Sequence, residues 1–117
     1  MNNIGLFTEK GSFFWSDEQE TKPITLSKVL ARRWGLTLVI KERRGSRWYK
    51  LGMVHPNGLY EWVGKQKDYY VLPIDHYGQP KGYVNTKPMI RGEYLHLVER
   101  GAFVFDSRIA AVARAMD

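Results

Sequence analysis

Residues 36–63 read LTLVIKERRGSRWYKLGMVHPNGLYEWV, and the alternation in this stretch sets the fold. Three runs rich in β-branched, aliphatic and aromatic residues are separated by two turn signals, which predicts three antiparallel strands. Gly45-Ser46 puts glycine at the first central position of a two-residue loop, where a type II′ turn needs positive φ. The register follows from that turn. Arg44 faces Arg47, Glu42 faces Tyr49, Ile40 faces Leu51 and Leu38 faces Met53, on a mostly apolar side. Arg43 with Trp48, Lys41 with Lys50 and Val39 with Gly52 form the wet side. His55-Pro56-Asn57-Gly58 makes the second turn, with proline suited to a type I corner and glycine to a left-handed exit. A four-residue loop places Tyr60 and Trp62 on the apolar side and Glu61 on the wet side near Lys50. A three-residue loop with a bulge reverses this. The first is preferred, because it buries the rings and gives Glu61 a cation.

Charge is concentrated in the same place. Residues 32–50 hold Arg32, Arg33, Lys41, Arg43, Arg44, Arg47 and Lys50 against Glu42 alone, which accounts for the whole net charge of +6. Residues 1–22 carry two lysines against Glu9, Asp17, Glu18 and Glu20 and are mildly acidic. On the hairpin, Arg44 opposite Arg47 and Lys41 opposite Lys50 cost roughly 0.2–1 kcal/mol per like-charged pair. Glu61 can relieve the lysines, whereas nothing nearby in sequence relieves Arg43, Arg44 and Arg47. An anionic partner is one resolution, and long side chains splaying into screened water are the other.

At 117 residues the chain is expected to form one domain that buries roughly 65% of its unfolded surface. An apolar fraction of 44% and a charged fraction of 26% belong to a globular protein. The absence of cysteine excludes disulfides, zinc ribbons and thiol catalysis. MNNIGLFTEKG lacks a basic segment leading into an apolar one, and no run nears the ~18 residues of a membrane span. A soluble, cytoplasmic protein without membrane contact is expected.

Ile4–Phe7 and Ser12–Trp15 read as short strands. A helix is expected from about 26 to 34, capped by Thr25 and stopped by Gly35, with Leu26, Val29, Leu30 and Trp34 as its buried stripe. A winged helix-turn-helix is excluded, because it needs a further helix just ahead of this one. Tyr69–Ile74 is read as another main strand. The glycine- and proline-containing stretch 75–92 is read as a long loop, with a short strand at Gly82–Val84. Tyr94–Phe105 reads as a hairpin turning at Arg100-Gly101, pairing Val98 with Phe103 and His96 with Phe105. A last helix runs from about 107 to 116, capped by Asp106 or Ser107, with Ile109, Val112, Ala113 and Met116 buried. The class is α+β, a curved antiparallel sheet of about five to seven strands carrying two helices.

No serine elbow, phosphate-cradling glycine loop or convergent His and carboxylate set stands out, so no catalytic residue, metal or cofactor is assigned. The residues favour a binding protein over an enzyme. The first candidate site is the basic hairpin 41–50: Lys41, Arg43, Arg44, Arg47, Trp48 and Lys50 contacting nucleic-acid backbone. Trp48 is either a stacking ring for a base or a ring lying over Gly52 or under Arg43. The second candidate site is the loop set His76, Tyr77, Lys81, Tyr83, Lys87 and Arg91. Two other functions fit the composition. One is an interaction or inhibitor module gripping an acidic protein surface. The other is a small-molecule site lined by Trp15, Trp62, Tyr69 and Tyr83. A monomer and a homodimer are both compatible.

Overall fold

The structure is a computed structural model and describes residues 3–17 and 19–116. Its class is the α+β class expected. Among the described residues, three helices and two antiparallel sheets, of five and three strands, replace the expected two helices and single sheet. The chain divides into two compact units, the first ending at Gly64 and the second starting at Lys65.

The first unit contains β1 (Ile4–Thr8), β2 (Phe13–Trp15), α1 (Pro23–Trp34), β3 (Leu38–Arg44), β4 (Arg47–Val54) and β5 (Tyr60–Trp62). The sheet order is β2-β1-β3-β4-β5, with β3 central. Gly45 has φ of 64° and no other residue type described takes positive φ, as a type II′ turn requires and a type I′ turn does not. The four pairs nearest the tip are those expected: Arg44 with Arg47, Arg43 with Trp48, Glu42 with Tyr49 and Lys41 with Lys50. Below them the register slips. Ile40 pairs with Gly52, Val39 with Met53 and Leu38 with Val54, so Leu51 is an extra, buried residue forming a β-bulge.

That bulge decides the second turn. The loop is the three-residue one. The His55 N–H donates to the Leu59 carbonyl (3.0 Å) and the Gly58 N–H to the His55 carbonyl (2.8 Å), with Gly58 at φ of 87°. By itself this register would turn Tyr60 and Trp62 to the wet side. The bulge has already moved Val54 and Gly52 to the side of Leu38 and Ile40, so Tyr60 and Trp62, their partners, stay with the core.

Helix α1 covers that side. The Tyr60 hydroxyl donates to the Ile24 carbonyl at 2.7 Å. The helix starts at Pro23, whose fixed φ and missing N–H suit a first turn, so Thr25 lies inside it and does not cap it. Gly35 ends it in the left-handed conformation, as expected. The buried stripe is Ile24, Ser27 and Ala31, while Val29 and Trp34 face outward. At Ser27 and Ala31 small residues face the sheet and allow close approach to it. Ser27 tolerates burial because its hydroxyl donates to the Ile24 carbonyl at 2.5 Å.

The second unit contains β6 (Gln66–Val71), β7 (Asn85–Ile90), α2 (Arg91–Glu99), β8 (Val104–Phe105) and α3 (Arg108–Ala115), with sheet order β7-β6-β8. The strand expected at Gly82–Val84 lies three residues later, as β7, on a sheet edge where Pro88 costs no ladder bond. Tyr94–Phe105 is not a hairpin, and Val98 with Phe103 and His96 with Phe105 are not strand pairs. Most of its first half is α2. Gly101, at φ of 83°, is the helix stop: its N–H donates to the Val98 carbonyl and that of Ala102 to the Leu97 carbonyl, both at 3.0 Å. The glycine expected at a hairpin corner instead follows the helix C-cap, Arg100. On α3 the Ser107 hydroxyl accepts from the Ala110 N–H, and Ala111 is the buried residue. Ile109, Val112, Ala113 and Met116, expected inside, lie on its exposed surface.

The core of this unit is Tyr69, Met89, Tyr94 and Val104, with the Tyr69 and Tyr94 rings stacked at 4.2 Å. Burial pushes the Tyr94 phenol above its ordinary 10.0, and Asp106 adds to this while Arg91 opposes it. The neutral phenol is therefore favoured in the folded state, and the unfolded chain ionises first. The resulting stability is fully present below pH 10 and is lost as the pH rises through the folded-state value. Wild-type protein is expected to lose stability above about pH 10 more steeply than Tyr94→Phe, measured by far-UV circular dichroism at increasing urea. Parallel pH profiles would contradict this.

Candidate functional site

The β3–β4 hairpin sorts the six expected residues by strand alternation. Lys41, Arg43, Trp48 and Lys50 share one side, and Arg44 and Arg47 lie on the reverse with Glu42 and Tyr49. Arg44 is not uncompensated. Glu42 lies two residues before it on the same side, and one carboxylate oxygen of Glu42 accepts from Arg44 Nη2 at 2.8 Å and Nε at 3.1 Å. The Arg44 guanidinium also lies 4.8 Å from the Tyr49 ring centroid. Glu61 does not serve Lys50; it sits opposite Met53 and pairs with His55. Among the described residues, Lys41, Arg43, Arg47 and Lys50 have no carboxylate partner.

The side bearing Lys41 and Arg43 extends across β1 and β2 as an aromatic row that the sequence did not reveal. Phe7 pairs with Val39 and Phe13 with Phe7, so both rings share this side. Phe7 lies edge-to-face with Phe13 (5.5 Å, 87°) and with Trp48 (5.2 Å, 72°). The Lys41 ammonium stands 4.5 Å from the Phe7 centroid and the Arg43 guanidinium 5.8 Å from that of Trp48. Trp48 therefore lies beside Arg43, one of the two positions expected for it, but it packs on Gly5 of β1 and not on Gly52. A Cβ at Gly5 would come 2.8 Å from the indole. Trp62 covers Gly52 on the helix side. The pairing of β1 with β3 joins residues far apart in sequence, and no local pattern carries it.

A second constellation was also invisible in the sequence. Thr37 Oγ1 and His55 Nδ1 are 3.1 Å apart, and His55 Nε2 and Glu61 Oε1 are 2.7 Å apart. With Nε2–H donated to the carboxylate, Nδ1 accepts from the Thr37 hydroxyl. The two contacts clamp the entry of β3 to the two ends of the β4–β5 turn.

The second candidate set is spread over several elements. Asp75 Oδ1 accepts from the Tyr77 and Gln79 N–H groups, forming a tight turn that presents His76 against Tyr77 (4.1 Å) in solvent. Lys81 and Tyr83 are exposed beyond it, Lys87 lies on β7 opposite Tyr69, and Arg91 is drawn to 5.2 Å from the Tyr94 ring. Of the four rings proposed to line a small-molecule site, Trp15 and Trp62 occupy opposite edge strands of the five-stranded sheet. Tyr69 is fully buried and Tyr83 is exposed. Among the described residues no three or more His, Asp or Glu side chains converge as metal ligands, and no helix is long and apolar enough to cross a membrane. Compared with known protein families, characterised proteins and solved structures, the chain matches none.

Proposed function

We propose that the protein binds nucleic-acid backbone through the β3–β4 hairpin. The observation that carries this reading is the placement of Lys41, Arg43 and Lys50 on one side of a two-stranded ribbon, with Arg47 at its tip and no carboxylate partner for any of them among the described residues. Four such cations close together repel one another, and a row of phosphates relieves that repulsion while releasing its own counterions. Arg44 contributes less, because its charge is engaged with Glu42.

The test is a titration of labelled nucleic acid at several salt concentrations. Binding is expected to weaken steeply with salt, and the slope of log K against log salt is expected to fall by about one unit for each phosphate that is no longer neutralised. Arg47→Ser is expected to lower the slope by about that unit and Arg44→Ser by clearly less. Absence of binding at low salt overturns the proposal, and equal effects of the two substitutions overturn the assignment of roles.

A further inference from the structure

Resting on that reading, we infer that the nucleic acid is single-stranded and that the Phe13 ring is a stacking platform for one of its bases. Phe13 is 59% exposed although it belongs to a β-strand and sits beside a buried ring. Its backbone is held: the Thr8 N–H donates to the Ser12 carbonyl at 2.8 Å, and the Ser12 N–H donates to the Thr8 hydroxyl at 3.1 Å. The ring is held as well, at 87° to Phe7. Whichever ring supplies the edge in that pair, at least one face of Phe13 is left unused by Phe7. An exposed, preorganised ring face on the side of the sheet that carries Lys41 and Arg43 suits a base whose own face is open.

Bases in a duplex stack on one another and present only their edges, so an exposed ring face gains little from them. The cations point to the same conclusion. Lys41 and Arg43 lie over the Phe7 and Trp48 rings, 4.5 Å and 5.8 Å from their centroids, so charge and rings stand together on this side of the sheet. Phosphates at Lys41, Arg43 and Lys50 and a base at Phe13 are then met on one surface, with Arg47 reaching a further phosphate at the hairpin tip, the arrangement of a single strand laid across a sheet.

The experiment compares single-stranded DNA, single-stranded RNA and duplex DNA of equal length against the full chain, its Phe13→Leu and Phe13→Tyr variants, and Arg47→Ser. Single strands are expected to bind at least about tenfold tighter than duplex. Phe13→Leu is expected to weaken single-strand binding about five- to 150-fold, the range for removal of one base–aromatic stack, with duplex binding unchanged. Phe13→Tyr keeps the ring and is expected to bind like the wild type. Matching thermal melts establish that the exposed substitutions leave the fold intact. Duplex binding as tight as single strands, or Phe13→Leu binding as tightly as wild type, overturns this inference while weakened binding by Arg47→Ser still supports a backbone interaction. Failure of every nucleic acid to bind at low salt overturns both.

Discussion

Ile40→Ala is expected to cost the first unit stability in the upper half of the range of about 2–5 kcal/mol seen for such truncations. Ile40 is fully buried on the central strand, with Leu6 on one side and Gly52 on the other. The penalty for a truncation depends on how far the neighbours relax into the space. Gly52 has no side chain to move inward. The Trp62 ring above it is stacked on Tyr60 at 5.0 Å, and Tyr60 is anchored by its hydroxyl to α1. The site therefore keeps its cavity. All four tryptophans, Trp15, Trp34, Trp48 and Trp62, belong to the first unit, so tryptophan fluorescence in a urea titration follows that unit without a signal from the second. A destabilisation below about 1 kcal/mol would show that the neighbours do close in, and that the packing around Ile40 yields.

Gly52→Ala is expected to destabilise the same unit by about 2–3 kcal/mol, the upper part of the usual cost of overpacking. A Cβ at this position would collide with the Glu61 carbonyl oxygen and stand 2.8 Å from the Trp62 ring. A flexible side-chain end would yield cheaply, but the first obstacle is the backbone of β5, which pairs with β4 at this residue. The strand must move, and the Tyr60–Trp62 stack moves with it. Gly45 is a useful contrast, because a Cβ there meets nothing within 4 Å and its restriction is the left-handed φ of 64° alone. The same fluorescence titration reads both substitutions. A Gly52→Ala protein as stable as wild type would show that β5 is held less firmly than its pairing implies.

Legibility followed the range of the interactions. The Gly45 turn and the four pairs above the bulge depend on neighbours within ten residues, and the sequence pattern contained them. The bulge at Leu51 did not show, because Leu51 and Gly52 fit either register until β5 brings Glu61 and Trp62 against the glycine. For α1 and α3 the most hydrophobic stripe was read as the buried one. Close approach to a sheet selected Ser27, Ala31 and Ala111 for their size, and hydropathy does not rank size. Tyr94–Val98 has strand propensity, yet its surroundings made it helical, with Gly101 as the stop. At the candidate site the cations were legible because charge is visible in a sequence. The rings were not, because Phe7 reaches Lys41 and Trp48 only through the pairing of β1 with β3, and Phe13 joins Phe7 only through that of β1 with β2.

Leu51 carries no charge and has no part in holding a phosphate, yet it governs where the hairpin points. A bulge bends its strand and tightens the local twist, so the segment beyond it departs from the plane of the rest of the sheet. The direction in which the cationic tip is aimed is thus encoded in the number of residues between Lys50 and Gly52. Evolution or engineering can re-aim that surface by one residue of strand length, leaving every charged side chain in place.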